Sequence, residues 1–551
     1  MESLRLIPLG GLGEFGLNML VLEYNGSAIA IDCGLMFPGA ELLGIDYVIP
    51  DVSYLLEKSR QLHGILLTHA HEDHIGALPY ILRQLPVPVY GTRLTLGLLK
   101  NKLAEHDLAG KTDLREITPA SPWWVGPFKV EGIRVTHSLI QCLAFAVETP
   151  AGVVLHTGDF KIDNTPMNGE MFDFGRLAAY GDRGVLVLLS DSTNVEKAGY
   201  TRSEREIGRG FEEIFHASRG RLFIATFSSN IPRIQQVAEL TARFGRRLVL
   251  SGRSMINNAR IASELGYLDL PPDYLTESER WQNLPADRVT FLTTGSQGEP
   301  LSVLHRIALD NHKSIKIAPG DTVVLSARFI PGNERTISNL INHLYRRGAE
   351  VHYERVSEIH VSGHASQEEL KTMIQLTRPR YFVPIHGEYR NLLRHIKLAQ
   401  STGIAPENCF LLEDGEVLEL TAQAARRVEP VPAGRVFVDG KGIGDVEDVV
   451  IRDRRHLSED GMVLAVMAIH QQSGDLVAGP DLISRGFIRS EEGEEVLEQA
   501  KRVVLETIKS ANRETRTDPV EMQEEVRKAL RRYFYETLER RPVVLPLILE
   551  M

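Results

Sequence analysis

Four side chains able to hold divalent cations crowd into one loop. They are His69, His71, Asp73 and His74, in the run Leu66-Leu67-Thr68-His69-Ala70-His71-Glu72-Asp73-His74-Ile75-Gly76. The apolar stretch 64–67 reads as a strand and the residues from Ile75 onward have helical periodicity, so the four stand at a strand-to-helix corner. Residues two apart on extended backbone project to the same side, which lets His69 and His71 face one way while Asp73 and His74 turn elsewhere as the helix begins. The spacing predicts one cation for each pair. Cys33, Cys142 and Cys409 are far apart and form no CxxC pair, so a metal site here must be built from histidine and carboxylate.

The chain that positions this loop has 551 residues, 43% hydrophobic and 25% charged, which excludes collagen-like, disordered and disulfide-scaffold classes and predicts three to four globular domains. Met1-Glu2-Ser3-Leu4-Arg5 lacks the basic and apolar regions of a secretory signal. No apolar run approaches the roughly 20 residues that span a bilayer, so neither secretion nor a membrane anchor is expected, and the cysteine usage suits a reducing cytoplasm. Net charge is −11, which argues against a surface that coats nucleic acid indiscriminately. Residues 202–260 invert that balance with eleven Arg, no Lys and five Glu. Either these are solvated helix faces or they line a channel for the phosphates of a nucleic acid, with Arg233, at a strand-to-helix turn, the expected contact.

Strands are predicted over 4–9, 18–24 and 28–31. Gly11-Leu12-Gly13-Glu14-Phe15-Gly16 matches a dinucleotide fingerprint, but a strand follows it where that fingerprint needs a helix, so nicotinamide binding is not expected. From about 200 to 355 strands and helices alternate (222–226, 231–244, 247–250, 254–265, 289–292, 322–325), which predicts a parallel sheet. Residues 421–455 read as a connector. Strands at 462–469, 476–478 and 543–549 and amphipathic helices near 491–512 and 518–539 predict a small α+β domain at the end.

The run His69, His71, Asp73, His74 resembles the HxHxDH motif of the metallo-β-lactamase superfamily, and the neighbouring motifs agree. Ile31-Asp32-Cys33-Gly34 is similar to the buttress of the metal loop, His137 to the third histidine and Asp159 in Gly158-Asp159 to the bridging aspartate. The resemblance implies that His69, His71 and His137 hold one ion, that Asp73 and His74 hold the other, and that Asp159 lies between. The best candidate for the last histidine, His386 in Val383-Pro384-Ile385-His386-Gly387-Glu388, comes far downstream, which resembles the β-CASP branch that processes nucleic acids. Its further motifs are met by Asp191, His364 in Ser362-Gly363-His364-Ala365-Ser366, and His386, and a histidine at the last position favours RNA over DNA. Within that branch the whole chain resembles the ribonuclease J family, including Gly10-Gly11-Leu12-Gly13-Glu14, residues 326–334 and residues 452–461.

That resemblance implies a metallo-β-lactamase αββα sandwich with an inserted β-CASP α/β domain and a small α+β carboxy-terminal domain. The expected limits are 1–200 and 356–425 for the sandwich, 201–355 for the insertion, 426–455 for a linker and 456–551 for the last domain. It implies two divalent ions, Zn2+ and/or Mn2+, on His69, His71, Asp73, His74, His137, Asp159 and His386, with Asp73, Asp191 and His364 as the catalytic set. Ser362, Gly363, His364, Ala365 and Ser366 are expected to cradle a terminal phosphate. The implied activity is 5′-to-3′ exonucleolytic and endonucleolytic hydrolysis of RNA, preferring 5′-monophosphate ends, in the processing and decay of ribosomal and messenger RNA in the cytoplasm. Implied partners are RNA, a second or further copy of the chain through the carboxy-terminal domain, and RNA-degradation complexes, with no membrane. A small-molecule lactonase or thioesterase would need neither the insertion nor Asp191 and His364, and an RNA-binding scaffold would not keep every ligand.

Overall fold

The computed structural model describes residues 3–551 except 40, 58–60, 278, 300–301, 328, 330–332, 355–358, 441, 445–447 and 489–492. Part of the 326–334 motif therefore lies outside the described residues. Residues 1–37 with 48–436 form one compact unit, and 38–47 with 437–551 form a second.

The first unit contains two sheets packed face to face. One has the strand order 425–428, 417–420, 4–10, 19–24, 27–31, 62–66, 89–91, 114–116, and the other 381–385, 187–191, 152–156, 143–149, 128–134, 123–125. Their facing side chains, among them Leu6, Leu22, Ile31, Leu66, Phe128, Phe145, Val187 and Val383, form one buried cluster. Strand Met19–Tyr24 is buried along its whole length and follows the Gly11–Gly16 run directly, so no helix opens there. Helices Phe174–Arg183, Gln367–Thr377 and Tyr389–Ser401 belong to the same unit. This is the αββα sandwich.

Between Asp191 and Gln367 the chain builds a further sheet, in the order 275–276, 247–251, 289–293, 222–225, 322–325, 350–352, with every pair parallel. Helices Ile231–Arg243, Arg253–Glu264 and Glu334–Arg346 connect its strands, and Phe223, Phe291, Val323 and Leu340 lie in its core. Afterwards the chain re-enters the sandwich, where Tyr381–Ile385 pairs in parallel with Val187–Asp191.

The second unit has a three-stranded sheet ordered 476–485, 462–469, 543–550, with the last two strands parallel. Val463, Ala465, Val544 and Ile548 pack with Val504, Val526 and Phe534 of helices Gly493–Ser510 and Pro519–Leu538. Two expectations need correction. The connector 421–455 carries regular structure: Ala425–Val428 extends the first sheet against Val417–Leu420, Arg435–Asp439 is a strand, and Asp448–Asp460 is a helix. Residues 38–47, read as part of the first domain, cluster instead with the carboxy-terminal unit, where the Asp46 N–H donates to Val438 O at 2.9 Å and Asp46 Oδ2 accepts from the Gly440 N–H at 2.8 Å. So short a segment has no periodicity to betray that attachment.

Candidate metal centre

Strand Leu62–Leu66 delivers the chain to Thr68 and His69, and a short helix, Glu72–Ile75, starts immediately after His71. The extended backbone at His71 (φ −73°, ψ 153°) keeps His69 and His71 on one side, and the helical turn swings Asp73 and His74 to another. Asp32 holds the corner: Oδ1 accepts from the Thr68 N–H at 2.8 Å, and Oδ2 accepts from Thr68 Oγ1 at 2.8 Å and His74 Nδ1 at 2.7 Å. The Cys33 N–H donates to His74 O at 2.7 Å, so this backbone lies directly on the helical turn. A Cβ on Gly34 would sit 1.6 Å from Asp73 O, which leaves room there only for glycine.

The fold gathers ligands from four separate places: the 69–74 corner, His137, Asp159 and His386. His69, His71, His137 and Asp159 form one group, Asp73, His74, Asp159 and His386 a second, and in each the ligand atoms lie within 4.8 Å of one another. Asp159 Oδ2 is 3.8 Å from His69 Nε2, 3.3 Å from His74 Nε2 and 3.7 Å from His386 Nε2, so it stands between the groups. Asp191 and His364 form a third group with Asp159 and His386, and Asp191 Oδ2 lies 2.8 Å from His364 Nδ1.

The outer hydrogen bonds of the histidines suit them to a cation. His137 Nδ1 must donate to the Gly363 carbonyl, 2.7 Å away, because a carbonyl only accepts. His74 Nδ1 likewise donates to Asp32. Thr193 Oγ1 gives its one proton to Asp191 Oδ1 and so accepts from His386 Nδ1, and Thr68 Oγ1 gives its proton to Asp32 and accepts from His69 Nδ1. All four rings therefore commit Nδ1 outward and turn Nε2 inward, the arrangement that outer partners impose on metal-binding histidines. His71 Nδ1 faces His69 Nε2 at 2.9 Å and His137 Nε2 at 3.2 Å, so three ring nitrogens converge as they would around one shared cation. The donor set fits divalent ions.

Burial, with its neighbouring histidines, holds His69 and His137 well below the usual imidazole range, and burial brings His71 to about 4, so these ligands are neutral. Burial acts the same way on His386, but the Asp159 carboxylate and the hydrogen bond to Asp73 outweigh it and raise the ring to about 9. A cation at the second group thus competes with a proton, and one at the first does not.

The loop 362–366 lies against these clusters, but its donors are partly committed. Ser366 caps helix Gln367–Thr377 in a reciprocal box with Glu369, its N–H donates to Glu369 Oε2 at 2.8 Å, and its hydroxyl lies 2.9 Å from Thr201 Oγ1. That corrects its expected role as a phosphate donor. Ser362 Oγ accepts from Asn194 Nδ2 at 2.7 Å and from the His364 N–H at 3.2 Å, which leaves its own proton to give. Gly363 presses on His137, where a Cβ would stand 2.5 Å from Cε1. Thr193 and Asn194 escaped the sequence reading. Their signal was the polar run Ser190-Asp191-Ser192-Thr193-Asn194 at a strand end.

Arg233 is not at a surface. It is fully buried and ion-paired with Glu204 at 2.5 Å, which overturns its expected contact with RNA. Much of the arginine run is spoken for within the chain, Arg221 by Asp321, Arg247 by Asp273, Arg260 by Glu264 and Arg246 by carbonyls of Ser218 and Gly220. A charge count carries no information on burial.

Family models match along nearly the whole chain: Metallo-beta-lactamase superfamily over residues 12–207, Ribonuclease J, beta-CASP domain over 219–344, Zn-dependent metallo-hydrolase RNA specificity domain over 348–412, and Ribonuclease J C-terminal domain over 449–551. Ribonuclease J2 of Bacillus subtilis (strain 168) is 40% identical over 550 residues, covering 100% of this chain and 99% of its own. The chain belongs to the ribonuclease J family. Other relatives in the ribonuclease J family include Ribonuclease J 1 of Streptococcus pyogenes serotype M3, 41% identical over 548 residues (100% of this chain, 98% of the other), and Ribonuclease J of Thermus thermophilus, 41% over 561 (100% and 96%). Among solved structures, the crystal structure of a protein of unknown function from Enterococcus faecalis V583 matches with a TM-score of 0.51 at 17% identity, over 76% of this chain and 100% of that one, a likeness of fold alone.

Proposed function

We propose that this chain, a metal-dependent ribonuclease by family, hydrolyses RNA both from its 5′ end and internally, prefers 5′-monophosphate ends, and acts in RNA processing and decay. The observation that carries the reading is His364, which borders both ligand groups through Asp159 and is fixed by Asp191. Its side chain is 20% exposed, against 1–5% for His69, His74, His137 and His386, so it is the more open to a substrate.

Residues His69, His71, His137 and Asp159 would hold one divalent ion, and Asp73, His74, Asp159 and His386 a second, with Zn2+ or Mn2+ both suited to the donors. When bound, such ions acidify water and offset negative charge on a phosphate. The protein does the rest. Asp191 accepts a hydrogen bond from the His364 Nδ1–H and leaves Nε2 to meet the phosphodiester, where a protonated ring stabilises the anionic transition state or delivers a proton to the leaving oxygen. Asn194 donates to both Ser362 Oγ and the His364 carbonyl, which ties the loop to the strand end that carries Asp191.

The Ser362 hydroxyl, with the Gly363 and Ala365 N–H groups, would receive a terminal phosphate next to His364. A compact cradle of this kind satisfies one phosphate, and a 5′-hydroxyl would leave its donors unpaired at about 1 to 3 kcal/mol each where they are buried. The test is incubation of the full chain with RNA bearing 5′-monophosphate, 5′-triphosphate or 5′-hydroxyl ends and Zn2+ or Mn2+. Mononucleotides should accumulate fastest from the monophosphate, and equal rates on all three refute the end preference.

Self-association through the carboxy-terminal unit belongs to the same reading, as do RNA-degradation complexes and a cytoplasmic site of action. It is supported by the exposed apolar face of the last sheet, with Val477, Ile483, Leu545, Leu547 and Leu549. No helix among the described residues is long and apolar enough to cross a membrane.

A further inference from the structure

Four charged side chains outside the ligand groups are buried together where the parallel sheet's helices meet the sandwich. Arg233 and Lys161 are wholly shielded from solvent, and Asp163 and Glu204 nearly so. Arg233, in the first turn of helix Ile231–Arg243, places one terminal nitrogen 2.5 Å from Glu204 Oε2. Its other terminal nitrogen donates to Ser326 Oγ and to the Ile359 carbonyl at 3.2 Å, and the Ser326 hydroxyl donates to that same carbonyl at 2.7 Å. Glu204 Oε1 lies 3.8 Å from Lys161 Nζ, which is 3.7 Å from Asp163 Oδ2 and donates to the Arg202 carbonyl at 3.2 Å.

Both ends of this series run into the candidate metal centre. Lys161 is two residues beyond Asp159, and its backbone is fastened to Thr136: the Lys161 N–H donates to Thr136 O at 2.7 Å, and Thr136 Oγ1 donates to Lys161 O at 2.7 Å. Thr136 directly precedes His137, so Asp159 and His137 hang from one short pairing. At the other end Ile359 stands at the root of the loop that carries His364. Buried ion pairs gain little stability over apolar side chains of the same volume. What they do supply is directional contact, and the planar guanidinium meets two separate segments at once.

We propose that Arg233 is a positioning residue. Through Glu204 and Lys161 it fixes the turn bearing Asp159 and His137, through the Ile359 carbonyl it fixes the loop bearing His364, and the ligands and His364 thereby keep a common register. Only the catalytic readout of this role rests on the ribonuclease reading.

The full chain carrying Arg233→Met with Glu204→Gln tests it, because the paired change removes both partners and leaves Lys161 opposite Asp163. The variant should unfold cooperatively. Its affinity for Zn2+ or Mn2+, measured by calorimetric titration of the metal-stripped protein, should fall roughly tenfold or more. On RNA its kcat should fall by a similar factor with KM within about twofold, since the side chain does not reach substrate. Arg233→Lys keeps the charge opposite Glu204 but cannot also reach Ile359, so it should keep metal affinity and lose kcat, and it keeps the test open if the paired variant does not fold. Wild-type metal affinity in the folded paired variant overturns the proposal, and so does wild-type kcat in Arg233→Lys. Unmodified protein that binds metal and leaves RNA intact refutes the ribonuclease reading instead, with the affinity measurement still deciding the role of Arg233.

Discussion

His71 and Asp73 differ from the core residues around them in what they touch, and that difference decides how their loss is felt. Each points its ligand atom into a group of convergent donors instead of packing an apolar face. His71→Ala and Asp73→Ala should each remove nearly all hydrolysis, by about 1000-fold or more for loss of a metal-held reaction centre, while the fold survives. Metal content and circular dichroism of the purified variants check this, and near-normal turnover in a variant that lacks metal would sink the assignment. Ser362→Ala separates the two modes of cleavage. It removes a donor from the proposed phosphate cradle without touching the ligands, so 5′ exonucleolysis should drop roughly tenfold and internal cleavage much less. An equal drop in both assigns the hydroxyl to the chemistry itself. Ser366→Tyr would be a poor substitute, since it breaks the cap of helix Gln367–Thr377.

At the scale of elements, the chain's periodicities made much of the architecture legible before any coordinates. Strand Thr322–Leu325 and helix Ile231–Arg243 stand within a residue of where alternation of apolar runs predicts them, and the corner at His69–His74 follows from a strand meeting a helix. Contacts between distant segments were not legible. Nothing local to Arg233 announces Glu204 and Ile359, and nothing in Ser366 distinguishes a helix cap from a phosphate ligand, because both use the same hydroxyl. Asp414 is another such case. Its carboxylate accepts from the Leu12 N–H at 3.1 Å, and burial, with Glu14 nearby, pushes it from 3.8 up to about 7. Between those values the folded protein keeps a proton that the unfolded chain has released, so stability falls as pH rises across that window. Asp414→Asn should flatten the slope and raise stability at pH 8 by on the order of 1–3 kcal/mol, read from denaturant melts at pH 5 and pH 8. An unchanged slope would place the carboxyl in water.

For the whole molecule, the exposed leucines of strand Val543–Glu550 are the feature that invites a partner. Replacing Leu545 and Leu547 with Glu should shift a concentration-dependent oligomer toward monomer in sedimentation, with metal content unchanged. A monomeric unmodified chain at micromolar concentration would dismiss this face as a self-association surface. The pairing of Val187–Asp191 with Tyr381–Ile385 carries a different consequence, one of timing. Synthesis runs from the amino end, so His69, His71, His137 and Asp159 emerge before the intervening sheet exists, whereas His386 and its strand emerge only after that sheet has been made. The second ligand group therefore cannot close on a growing chain until some 386 residues have been translated, and a nascent nuclease still attached to its own messenger is held incomplete by the order of its strands.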